Sequence, residues 1–375
     1  MANVLIISLS DLKNDPRVYR QIDLLKDYYE VSALGLTNPD IDNVKFYKIE
    51  INNSLFSRLF SFIYKFTGSF EKFEKFWIKN KIKIANNDLF DVKFDFILAN
   101  EIDSLPVAFK LINGNYVLID LHEYAPLEFE DKFLWNLLHK KFVNHQCNKY
   151  LMKANRISTV CDGIADEYFK NYGVKPEVIT NAKNYCNLKP VINSSGKIKM
   201  LHHGAAISSR KIELMIETMN YLDDKYELDL MLVPTQIKYY NKIKSLIYDK
   251  RNIRLIDSVP MNKIIVTINK YDIGLFLLPP VNFNYRLALP NKLFEFIQAR
   301  LAIAIGPSPE MASIVRKFDL GMISDSFKPE DFAREIKKLT YEKILFYKNN
   351  CDKCAFELSY ENIKMNTLKI FQSLD

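Results

Sequence analysis

Lys292 and Glu295 stand three residues apart in the run from Asn284 to Glu310, NYRLALPNKLFEFIQARLAIAIGPSPE. That spacing sets two side chains on one face of a helix. Pro290, just before them, suits the first turn, where a missing N–H costs nothing. Lys292 then falls beside unpaired backbone N–H groups at the positive end of the helix dipole. A cation there serves helix stability badly and serves a bound phosphate well. The expected chemistry is therefore nucleotide recognition. Lys292 would face solvent when empty and grip a diphosphate when filled, with Asn291 beside it, and Glu295 would accept the hydroxyls of a ribose. The same letters also fit an amphipathic helix that feeds a parallel strand and binds nothing.

Ligands of open α/β sheets sit beyond the carboxyl ends of the strands, so polar residues that follow apolar runs carry weight. FDFILAN ends in Asn100, with Glu101 and Asp103 next, and YVLIDLHEY presents Asp120, His122 and Glu123. A strand-end histidine also fits a purely structural role. HHGAAISSRKIELMIETM offers Gly204, where backbone can approach a ligand closely, then Arg210 and Lys211. A guanidinium can hold two phosphate oxygens at once; the two cations also read as a solvated pair at a helix start. SLSDLKNDPRV follows the first strand in place of GxGxxG, so a nicotinamide or flavin fingerprint is absent. There Asp15 would cap a helix and Pro16 would open it. Arg17 is either a surface arginine or a contact for an acceptor.

Two arrays of elements must position these groups. The runs VLIISL, EVSALGL, VKFYKIEI, FDFILAN, YVLIDLHE, RISTVC and PEVITNA alternate with helical patterns such as Arg17 to Asp27. Their near-continuous apolar character predicts a parallel sheet covered on both faces. CNLKPVINSSGK, residues 186–197, lacks periodicity and reads as a linker. The pattern restarts with KIKMLHHG, LDLMLVP, NIRLID, DIGLFLLP, LAIAIG and LGMIS. The expected organisation is α/β: a Rossmann-like domain over 1–185, the linker, a second over 198–355, and a last helix over 356–375 crossing back to the first.

The chain has 375 residues, enough for two medium cores, and its 48% hydrophobic and 26% charged content is ordinary for a globular protein. A net charge of +7 is mild, and with no recognisable module or basic stripe nucleic acid is not an expected partner. No export signal and no run of membrane-span length is visible. Five cysteines, an odd number, fit a reducing cytoplasm. Cys351 and Cys354 form a lone CxxC, expected as a surface pair on a helix and not as a zinc site.

The Pro290–Glu310 run, with its apolar strand and Pro309-Glu310, resembles the donor-binding helix of GT-B glycosyltransferases of the large bacterial retaining family 4 group. The segments around Asn100 and His122 are similar to that family's paired ANDxDxLP and DxHE elements, and SYEN near the end to its closing segment. The resemblance implies two Rossmann-like domains facing a cleft, a nucleotide-diphosphate sugar donor, and a glycan or lipid-linked acceptor. It implies that His122 lies against the donor sugar and that Arg210 and Lys292 neutralise the diphosphate without a metal or other cofactor. Asp257, Ser258 and Val259 would pack on the base, and Asn181 would line the cleft. Asp15, Arg17, Asn100, Glu101, Asp103 and Glu123 would stand on the acceptor side. The family's earlier glutamate is replaced by Leu287, for which Asn284 or Arg286 could substitute. Arg300 stands where a helix-ending glycine is usual and Ala302 where proline is usual, so Arg300 at positive φ would carry strain of about 1 kcal/mol.

Between Phe56 and Ile84 seven basic and two acidic residues leave +5, and Leu59, Ile63, Phe66, Phe70, Phe73 and Trp77 recur at helical spacing. Such a helix packs on the sheet with a solvated outer face or lies on anionic lipid; packing is the simpler expectation. Lys132 to Lys153 poses the same choice. The functional expectation is a glycosyltransferase of bacterial surface polysaccharide assembly, cytoplasmic or peripheral on the inner membrane face. A GT-B nucleotide-sugar epimerase and a non-catalytic scaffold are the alternatives.

Overall fold

The computed structural model describes residues 1–52, 54–84, 87–112, 115–193 and 196–374, so Ser194 and Ser195 of the expected linker lie outside the described residues. The chain forms two compact units. One comprises Met1–Thr180, Asn282–Asn284 and Asn366–Asp375, the other Asn181–Val281 and Tyr285–Met365. Residues 186–193 run without helix or strand and belong to the second unit.

The first unit holds β1 (Asn3–Ile7), β2 (Glu30–Gly35), β3 (Lys45–Ile51), β4 (Ile82–Ile84), β5 (Phe96–Asn100), β6 (Tyr116–Leu121), β7 (Arg156–Thr159) and β8 (Glu177–Val178). They form one sheet in the order β4-β3-β2-β1-β5-β6-β7-β8. All described pairings are parallel except β3 with β4, the strand that the sequence pattern did not anticipate. Val4 through Ile7 and Phe96 through Ala99 are wholly or almost wholly buried, as strands covered on both faces require. The last helix, Tyr360–Gln372, is shorter than expected, and its end lies in this unit, where Phe371 packs 5.7 Å from the rings of both Tyr29 and Phe96.

The second unit adds β9 (Ile198–Ala205), β10 (Tyr226–Val233), β11 (Ile253–Ile256), β12 (Ile273–Phe276), β13 (Ala302–Ile305) and β14 (Gly321–Ile323). Their order is β11-β10-β9-β12-β13-β14, all parallel. Strand order reverses between β1 and β5 in one sheet and between β9 and β12 in the other. Those reversals open the crevices in which doubly wound sheets take ligands.

The basic aromatic run is not one helix. Leu55–Phe66 ends before Gly68, whose φ of 69° breaks it, and Phe70–Phe76 follows. The second helix packs as expected, with Phe73 buried against Phe142 at 4.6 Å. The first does not. Ser57 and Ser61 face inward, while Leu55, Phe56, Leu59, Phe62, Ile63 and Phe66 are exposed, as are Phe133, Leu134 and Leu137 of the helix Phe133–Leu138. No helix among the described residues is long and apolar enough to cross a membrane.

Candidate active site

The helix that carries Lys292 and Glu295 runs from Asn291 to Gln298. Pro290 sits one residue earlier than expected, as the extended cap residue before the helix, and its carbonyl accepts from Leu293 N–H at 3.1 Å. Gly274 in β12 sets how close this helix lies to the sheet. A Cβ there would stand 2.5 Å from the Phe296 ring, so the missing side chain is the space that ring fills. The neighbouring strand β9 carries His202, His203 and Gly204 directly before its last residue, Ala205. A Cβ on Gly204, at φ 122°, would lie 3.6 Å from both the Arg210 guanidinium and the Lys292 ammonium. Two cations from separate elements thus meet at one glycine, at the carboxyl end of the strand beside the order reversal.

Lys292 is buried, contrary to the expectation that it faces solvent when the site is empty. Its Nζ lies 3.9 Å from the centroid of the Phe276 ring and 3.4 Å from His202 Nε2. Burial, and then the charge of Arg210, pull the lysine well below its ordinary value, while Glu295 pushes the other way. His202 is fully buried, and its Nδ1 lies 3.0 Å from the Leu275 carbonyl. Burial and the Lys292 charge push that imidazole well down, and His203 likewise, so both rings are neutral. Glu295 is buried one turn after Lys292 and pairs with Lys183 at 3.0 Å, with His203 Nε2 at 3.5 Å. Lys183, His202 and His203 were assigned no role from the sequence. Their signal was two histidines at a strand end directly before a glycine.

The other expected donor residues divide. Asn291 Oδ1 is buried without a hydrogen-bond partner, an acceptor in the same helix turn as Lys292. Lys211 is exposed at φ 51°, and Asp257 and Ser258 are exposed in the loop after β11, with Val259 half-buried beside them. Asn181 is half-buried at the start of the second unit. Asn284 belongs to the first unit: its amide accepts from Tyr124 N–H at 2.8 Å and donates to the Tyr124 carbonyl at 3.2 Å. Both ends of that amide are thus engaged by the Tyr124 backbone. Leu287 is buried. Arg300 does take positive φ, 58°, and its guanidinium reaches Asp352 at 2.8 Å, the Gln298 carbonyl at 2.5 Å and the Cys186 carbonyl at 2.9 Å. It is a buried clamp at a helix C-terminus, where a cation is favoured. The CxxC pair is buried, not on the surface; Cys351 donates to the Leu301 carbonyl at 3.2 Å, and burial pushes Cys354 up to about 12.

In the first unit Asp15 caps the helix Pro16–Leu25, accepting from the Arg17 and Val18 amides at 3.2 and 3.3 Å. Arg17 is buried, not a surface arginine. It holds Asp120 through Nε at 2.5 Å and Nη2 at 2.7 Å and donates Nη1 to the Ile179 carbonyl at 2.8 Å. Gln21 and Ser158 also donate to Asp120, at 2.6 and 2.7 Å. Burial opposes that carboxylate's charge, but Arg17 outweighs it and holds Asp120 well below the usual range. His122, one-fifth exposed, sits above this hub. Its Nε2 is 3.1 Å from Asn100 Oδ1 and 3.4 Å from Asp120, and its Nδ1 is 3.3 Å from Glu101. Glu101 has φ 65°, strained by about 1 kcal/mol for a residue with a Cβ, and accepts from the His122 amide at 3.0 Å. Burial and the neighbouring Glu128, Glu123 and Asp103 raise the Glu101 carboxyl well above its ordinary value, and burial with Glu123 lifts Glu128 to about 8. Asp103 and Glu123 are exposed. Glu128 was not foreseen, because it reaches the group from a separate turn.

A scan against protein-family models gives no match, and a search of curated proteins gives none either. Solved structures do match. Sucrose-phosphate synthase from Thermosynechococcus elongatus superposes with a TM-score of 0.73 at 11% identity, over 100% of this chain and 99% of its own. HepE from Anabaena, in complex with UDP-glucose, gives 0.70 at 12% identity over 100% of both chains. A variant of TarM from S. aureus, in complex with UDP, fondaparinux and alpha-GlcNAc-glycerol, gives 0.59 at 13% identity over 74% of this chain. This chain spans about half of TarM, 55% of its length. At such identities the likeness concerns the fold, and the fold is GT-B, as the sequence resemblance implied.

Proposed function

We propose that this chain is a glycosyltransferase that takes a sugar from a nucleotide-diphosphate donor. The observation that carries the reading is the meeting of Arg210 and Lys292 at Gly204, beside the strand-order reversal of the second sheet. Two cations with no carboxylate bonded to Lys292 among the described residues make an anion site, and Glu295 follows on the same helix. The UDP and UDP-glucose bound by HepE support a uridine nucleotide as the first donor to try. In the reaction the bond from the sugar's anomeric carbon to the diphosphate breaks and a bond from an acceptor hydroxyl to that carbon forms. The hydroxyl proton passes to the departing phosphate, whose charge Arg210 and Lys292 balance in place of a metal. His122 serves the sugar ring, and Glu101, Asp103 and Glu123 serve acceptor hydroxyls. Retention of configuration follows the family resemblance, as does a cytoplasmic role in polysaccharide assembly.

An anionic lipid surface belongs to the same proposal. The helix Leu55–Phe66 turns serines inward and large apolar side chains outward, inside a segment of +5 charge. Apolar insertion backed by cations is how an interfacial helix holds a membrane, and a lipid-linked acceptor would then be presented there.

Thermal melting with UDP, GDP and ADP tests the donor reading. A ligand at 100 times its Kd stabilises by about 2.7 kcal/mol, so one nucleotide should raise the midpoint and the others less. No response to any of them contradicts the reading and favours a scaffold. Response to UDP with conversion of UDP-sugar to an isomer, and no transfer, favours an epimerase.

A further inference from the structure

We infer that His202 is a positioning residue for Lys292: a buried imidazole that accepts one ammonium N–H and turns the others toward an anion at Gly204. The inference rests on the donor reading above and deepens it. The geometry fixes the tautomer. His202 Nδ1 faces the Leu275 carbonyl at 3.0 Å, and a carbonyl only accepts, so Nδ1 carries the proton. Nε2 is then a lone pair, and the atom before it is Lys292 Nζ at 3.4 Å. The His202 ring stacks on Phe276 at 5.8 Å and 20° between planes, and Phe276 lies under the same ammonium at 3.9 Å. One ring supports Lys292 from below and the other holds it from the side.

A lysine in water needs no such cradle, but this one is buried with Arg210 facing it. The charged groups around it are Arg210 from the turn after β9 and Glu295 on its own helix, with Lys183 beyond at Glu295; His203 on β9 is titratable but neutral. A neutral acceptor at Nε2 is the group that favours the ammonium without neutralising it. A carboxylate there would compete with the ligand for the same charge.

The experiment measures UDP affinity against pH for the full-length protein and its His202→Phe, His202→Leu and His202→Gln variants. Lys292 binds an anion only when protonated, so affinity falls as pH rises. Removing the acceptor makes the ammonium harder to keep. His202→Phe, which retains the stack on Phe276, should weaken UDP about tenfold near neutral pH and start its alkaline decline at a lower pH. His202→Gln, whose amide oxygen can accept, should stay within about threefold of the wild type with the same profile. Equal affinities and superimposable profiles in all four proteins would overturn the inference while leaving the donor reading intact. Failure of the wild type to bind any nucleotide diphosphate would overturn both. If the apolar variants do not fold, nitrogen NMR of the wild type decides: an unprotonated His202 Nε2 is expected, and a protonated one contradicts the role.

Discussion

Lys292 is the residue on which burial and chemistry pull apart. An ion held in the interior without a bonded counter-charge destabilises a fold, and replacing it with an apolar side chain of similar length is often neutral or better. Lys292→Met should therefore hold or raise the thermal stability of the ligand-free chain, by up to about 1 kcal/mol, and abolish its stabilisation by UDP. Melting with and without UDP checks both halves; a large loss of stability without loss of UDP response would contradict the role. Arg17 is the opposite case. Its Asp120 partner is buried, so Arg17→Leu leaves an uncompensated carboxylate and should cost about 3–5 kcal/mol in urea unfolding. The pH sign follows. Asp120 is held well below 3.8 in the folded chain, so the pair stabilises above that pH and its contribution is lost as pH falls through the folded value. The gap between variant and wild type should narrow below about pH 4. A gap constant with pH would place the effect in packing alone.

Elements set these residues where they are, and glycines set the elements. Gly274→Ala should push Phe296 off β12, destabilise by about 1–3 kcal/mol as overpacking does, and weaken UDP binding because Lys292 rides on the same helix. Stability lost with nucleotide affinity unchanged would show that the helix position is irrelevant to the site. The Leu55–Phe66 helix makes the converse prediction. Phe56, Leu59 and Phe62 are exposed, so replacing all three by serine should leave folding within about 0.5 kcal/mol and remove binding to anionic liposomes; undiminished sedimentation with liposomes would contradict the membrane surface. The central strands β1, β5, β12 and β13 were legible because they are apolar and buried on both faces. β4 was not, being three residues paired antiparallel at a sheet edge. The Lys292–Glu295 spacing was legible from helix period alone. The burial of Lys292 was not, since it depends on Phe276 and His202 arriving from two other strands. Neither reading of Arg17, surface arginine or acceptor contact, included its bond to Asp120, because that partner lies far along the chain.

At the scale of the molecule, two doubly wound units repeat one plan, and each gathers its polar groups where its own strand order reverses. The first unit collects carboxylates around His122, and the second collects cations around Gly204. That difference in sign is what the proposed chemistry needs: an anionic leaving group for one set, hydroxyls for the other. The chain's modest excess of +7 says little by itself; the placement of Arg210 and Lys292 says more. A crystal structure of the full-length protein grown with UDP tests this most directly. The diphosphate is predicted to lie against Gly204, within hydrogen-bond reach of both Arg210 and Lys292, with the ribose toward Glu295. UDP bound elsewhere, with Lys292 still turned to His202 and Phe276 and no phosphate near Gly204, would contradict the account.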